Sequence, residues 1–67
     1  MAERITVTLV PKAAASLASL RERTQLSKTD LVNRGISLYD FIDAEVAAGA
    51  TVRIDRADGS GSEVRFL

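Results

Sequence analysis

The chain begins with a strict alternation of apolar and polar positions. In ERITVTLV, residues 3–10, Ile5, Val7 and Leu9 alternate with Arg4, Thr6 and Thr8. A period of two predicts a half-buried strand. Val10 precedes Pro11, which biases it towards an extended backbone. Pro11 suits the first position of a helix, where its missing N–H leaves no intrahelical bond unmade. From there the spacing turns helical. Ala13, Leu17 and Leu20 recur on one face of residues 11–24, with Ala14 and Ala18 beside them. Arg21, Glu22 and Arg23 face solvent, with the basic residues at the helix end that favours cations. Val10 has no side-chain oxygen to cap the helix start.

After Thr24-Gln25-Leu26, a second helix opens on Ser27-Lys28-Thr29-Asp30. Ser at the N-cap with a carboxylate three residues later is a capping box in its acidic form. The apolar positions then form two adjacent rows, Leu31, Gly35, Leu38, Ile42 and Val32, Ile36, Tyr39, Val46. This face is too wide for one Ala-rich helix to cover, so a second copy of the same helix is its expected complement. Gly35 costs ~1 kcal/mol relative to Ala in a helix interior. It marks either close helix approach across a dimer axis or a tolerated weak spot. Gly49 is a natural C-cap residue. Alternation returns in the tail, with Val52 and Ile54, a turn at Asp58-Gly59-Ser60-Gly61, then Val64 and Phe66. That predicts a β-hairpin. Its register is open, because pairing Arg53 with Glu63 or Asp55 with Arg65 would each oppose unlike charges. Two segments are expected, residues 1–49 as the dimerising part and residues 50–67 as the hairpin.

Length sharpens this picture. A 67-residue chain is marginal as a lone domain and usually needs disulfides, a metal or oligomerisation. It has no Cys and no His, so oligomerisation is the remaining device. The first strand lacks a neighbour and the second helix is too apolar for a monomer's surface. Both are accounted for by an α+β fold in which two chains intertwine: a homodimer with an intermolecular two-stranded antiparallel ribbon packed on the helices, plus the C-terminal hairpin. Its dimer core would take Ile5, Val7, Leu9, Leu31, Gly35, Leu38 and Ile42.

The net charge is zero, but it is split. Residues 1–34 carry six basic and three acidic groups, and residues 35–67 carry three and six. A dimer would join two positive halves into a basic face. A two-stranded ribbon fits the DNA major groove, where Arg reads guanine and Thr meets base edges or the thymine methyl. Arg4, Thr6 and Thr8 are therefore the expected base readers, although a merely solvated strand face would carry the same residues. Ser27, Lys28 and Thr29 place hydroxyls, an ammonium and backbone N–H groups at a positive helix end, which suits phosphate. Asp40 and Asp43 on an exposed helix face read as solubility, so no metal or cofactor is expected. With no Cys, no His and no Gly-rich phosphate loop, no enzyme is expected either. No apolar run approaches ~18 residues and there is no signal-peptide core, so the expected location is the cytoplasm, at the nucleoid.

RITVTL, AAASLASLRERT and LSKTDLVNRGISLYDFI together resemble the Arc/MetJ-type ribbon-helix-helix DNA-binding proteins, in particular the short CopG-like branch, over residues 3–46. The resemblance implies a homodimeric transcriptional regulator that inserts its ribbon in the major groove, a repressor or a plasmid or toxin–antitoxin regulator. It implies double-stranded DNA as partner, with higher-order assembly on DNA open. By position it assigns base reading to Arg4, Thr6 and Thr8 and phosphate clamping to Ser27, Lys28 and Thr29. The hairpin departs from the minimal family pattern. It is either a structural flap or an edge for a protein partner. The alternative function is thus an antitoxin or partner-binding module that engages another protein through the hairpin, with DNA binding as autoregulation.

Overall fold

A computed structural model describes residues 2–65. Its elements, in chain order, are α1 (Pro11–Thr24), α2 (Lys28–Ala47), β1 (Val52–Asp55) and β2 (Gly61–Val64). The chain divides into two units, Met1–Val32 and Asn33–Leu67, with the boundary inside α2.

In the first unit, α1 starts where the proline sets it. Pro11 occupies the first turn and Val10 is extended (φ −66°, ψ 155°) with no side-chain cap. The Val10 carbonyl accepts the Ala14 N–H at 3.0 Å, which is the first helical bond. The helix ends on Gln25, the only non-glycine residue with positive φ among those described. Its backbone (φ 60°, ψ 17°) turns left-handed and its N–H reaches the Arg21 carbonyl at 2.8 Å. That five-to-one bond is the left-handed helix stop that glycine more often provides. Gln25 is held there by its amide, which donates to the Glu22 carbonyl at 2.9 Å. Thr24 closes the turn. Its hydroxyl donates to the Leu20 carbonyl at 2.6 Å and accepts the Leu26 N–H at 3.3 Å. α2 then opens on Ser27, whose Oγ accepts the Asp30 N–H at 3.1 Å. The capping bond expected from the sequence is present.

In the second unit, α2 ends in a Schellman arrangement. Gly49 (φ +99°) donates to the Val46 carbonyl at 3.0 Å, and Ala50 donates to the Glu45 carbonyl at 3.0 Å. Positive φ is the reason glycine stands at this position. β1 and β2 pair antiparallel, with Val52 opposite Val64, Arg53 opposite Glu63, Ile54 opposite Ser62 and Asp55 opposite Gly61. Of the two registers left open by the charges, the one pairing Arg53 with Glu63 forms. Arg53 Nε donates instead along its own strand, to Asp55 Oδ1 at 3.1 Å. A Cβ on Gly61 would lie 2.7 Å from both Arg53 Nη2 and Asp55 Oδ1. The absent side chain is what lets this exposed ion pair lie across the partner strand. Asp58 organises the turn, accepting the Ser60 N–H at 2.9 Å and the Ser60 hydroxyl at 2.6 Å on one oxygen. Phe66, expected to extend the apolar face of the hairpin, lies outside the described residues.

The N-terminal expectation is overturned. Residues 2–10 form neither helix nor strand, and the sheet among the described residues is the β1–β2 hairpin. Strands follow the helices, so the fold is not an N-terminal ribbon leading into two helices. The physical reason lies in what alternation encodes. It says which face a strand would bury, but a strand exists only through ladder hydrogen bonds. β1 and β2 form that ladder with each other, whereas residues 3–10 pair with no strand among the described residues. Among the described residues, no helix is long and apolar enough to cross a membrane.

Two predictions follow from these local bonds. Ser27→Ala should lower folding stability by about 1 kcal/mol, and Ser27→Gly by only a few tenths. Chemical denaturation checks this, and equal midpoints for the two variants would contradict the cap. The Ser60 hydroxyl and N–H hold the Asp58 carboxyl below its ordinary value. A depressed carboxyl stabilises the fold above its unfolded pKa, and that contribution is lost as pH falls through the folded value. Ser60→Ala should therefore move the Asp58 titration upward by NMR, and an unmoved titration would remove the hydroxyl as the cause.

Candidate nucleic-acid interface

The expected base readers lie on the segment that leads into α1. Arg4, Thr6 and Thr8 are all exposed. So are the apolar residues between them, Ile5 at 56%, Val7 at 59% and Leu9 at 41%. In the single chain, both sides of this stretch are therefore open to solvent. Chemically the three side chains suit a base edge. A guanidinium offers a planar fork of donors, and each threonine offers a hydroxyl and a methyl.

The expected phosphate clamp is built by the first turn of α2. The helix itself brings Ser27, Lys28 and Thr29 together. Ser27 sits at the N-cap with its carbonyl accepting the Leu31 N–H at 3.0 Å. Its hydroxyl takes one first-turn N–H, that of Asp30. The helix start is the positive end of the dipole, where N–H groups lack intrahelical carbonyls. Lys28 adds a formal positive charge there, and Asp30 adds a negative one in the same turn. The turn can position a phosphate by geometry while remaining close to neutral. α1 separates this group in sequence from Arg4, Thr6 and Thr8. One group is fixed by hydrogen bonds and the other by no sheet ladder.

Of the residues expected in the dimer core, Leu31, Gly35, Leu38 and Ile42 share one side of α2 by helical spacing. Leu31 and Ile42 are half-buried. Ile36, Leu38, Tyr39 and Phe41 are 51–63% exposed. A Cβ on Gly35 would meet nothing within 4 Å. No close approach inside the chain therefore demands glycine at that position.

α1 also carries a polar stripe that its apolar periodicity does not reveal. Lys12, Ser16, Ser19 and Arg23 line one open face with Ala15 and Leu20. The signal is present in the sequence as polar residues spaced four, three and four apart. Among the described residues, no group of three or more His, Cys, Asp or Glu side chains could hold a metal ion.

No family model, no curated protein and no solved structure matches this chain.

Proposed function

We propose that the protein is a double-stranded-DNA-binding transcriptional regulator that acts as a homodimer joined through α2. Arg4, Thr6 and Thr8 make the base contacts, and the α2 start at Ser27, Lys28 and Thr29 seats on phosphate. The base contacts are assigned to these side chains and not to a preformed ribbon. The observation that carries the reading is the exposed Arg4, Thr6 and Thr8 set, borne on the half of the chain that holds the positive charge. The dimer is supported separately. No described residue of the single chain is buried, and fully burying a large apolar side chain contributes about 1.5–3 kcal/mol. Pairing two α2 faces removes exposed apolar side chains such as Leu38 and Ile36 from water.

A second reading is favoured by the hairpin. It has only two strands, each with an outer edge whose backbone groups have no ladder partner in the sheet. Such edges accept an added strand from a protein partner, and DNA binding would then serve autoregulation. Co-purification of a bound protein that is lost on changing Ile54 supports this second reading.

A duplex selected from a random pool provides the specific probe. Arg4→Ala or Thr6→Ala should each lose about 1–3 kcal/mol of affinity for it while remaining dimeric. Parental affinity in both variants would sink the assignment of the base contacts. Lys28→Ala should weaken selected and random duplexes alike and lower the salt slope by about 1, and an unchanged slope would remove Lys28 from the clamp. Gly35→Ala tests the α2 seam. It should favour the isolated helix by about 1 kcal/mol yet weaken the dimer by sedimentation, whereas an equal or tighter dimer would place the seam elsewhere on α2.

A further inference from the structure

We propose that the polar stripe of α1, formed by Lys12, Ser16, Ser19 and Arg23, lies along the sugar–phosphate backbone of a DNA duplex. This rests on the DNA-binding reading above and extends it to a helix face which that reading leaves unassigned.

Helical geometry brings the four residues together. At 3.6 residues per turn their positions fall within an arc of about 60°, over a rise of roughly 16 Å. Each DNA strand carries a phosphate per ~3.4 Å of duplex axis, so the stripe is long enough to meet several in succession. Its chemistry is donor-rich, with two cations and two hydroxyls, the side chains that position proteins on phosphate. Glu22, the one carboxylate of α1, falls about a quarter-turn away. All four stripe residues are exposed, and among the described residues neither Lys12 nor Arg23 is in an ion pair.

Two further observations favour a polymer of phosphates. Lys12 stands in the first turn of α1, which contains no acidic residue, so a cation occupies the end that the helix dipole disfavours. An anion bound there relieves that conflict. Ala15 and Leu20 line the same open face as the stripe. Ala15 permits close approach of a backbone, whereas a helix lying in a membrane surface needs several bulky apolar residues beside its cations.

The test compares the full chain with a Lys12→Gln/Arg23→Gln variant. Gln keeps the helix propensity close to that of Lys and Arg. Binding to a random-sequence duplex is followed by fluorescence anisotropy across a salt series. The double variant should show a slope of log K against log salt lower by about 1.8, at ~0.9 per lost phosphate contact. Arg21→Gln, on the opposite side of α1, should leave the slope unchanged, and Lys12→Arg should retain it. If the double variant loses its helical signal, the single variants decide, each with a slope lower by ~0.9. A parent that binds duplex and a folded variant with the parental slope would overturn the stripe while leaving the DNA-binding reading intact. A parent with no salt-dependent duplex binding would overturn both. Loss of binding to phosphatidylserine vesicles with duplex binding retained would reassign the stripe to a membrane surface and overturn the proposal.

Discussion

Burial of apolar surface is the constraint on which every other feature of this protein depends. No described side chain is buried within the single chain. Ordering a residue costs ~1–2 kcal/mol of backbone entropy. Caps and turns return about 1 kcal/mol each, far less than the cost of fixing twenty residues of α2. Isolated helices are marginal in water, and most of their stability in proteins comes from packing an amphipathic face. α2 carries such a face, and most of its large apolar side chains remain exposed. In the proposed dimer, a symmetric seam places this face against itself and supplies the missing burial.

Local signals nevertheless set where each element starts and stops, and these were legible. Pro11 opens α1 and Ser27 caps α2. Gly49 stops α2 with positive φ, and Asp58 with Gly59 bends the hairpin. Each is a residue whose backbone or side chain satisfies a stated hydrogen-bonding need within a few positions. Gln25 was less legible, since a left-handed stop is the usual place for glycine, and only its own amide bond to Glu22 shows what holds it. The hairpin register could be narrowed to two choices by charge, but not decided. The Arg53–Asp55 pair lying over Gly61 involves three residues whose relation exists only once the strands are paired.

The N-terminal stretch shows where pattern reading stops. Alternation at residues 3–10 is as regular as in the hairpin, yet only the hairpin pairs. The difference is that the Asp58–Gly59 turn folds β2 directly back on β1, whereas no turn signal beside ERITVTLV brings a second strand to it. The candidate site divides along the same line. Ser27, Lys28 and Thr29 could be placed from sequence because one helical turn holds them together. Arg4, Thr6 and Thr8 could be named by type and spacing, but no helix or strand holds them. The stripe on α1 was open to the same periodicity argument as any apolar face, applied to its polar residues.

The central claim is that this chain completes its core with a copy of itself. Sedimentation equilibrium combined with thermal unfolding at several concentrations tests it most directly. A mass twice the 7.2 kDa of one chain, with a midpoint that rises with protein concentration, is the predicted result. A single-chain mass with a sharp, concentration-independent transition would contradict it.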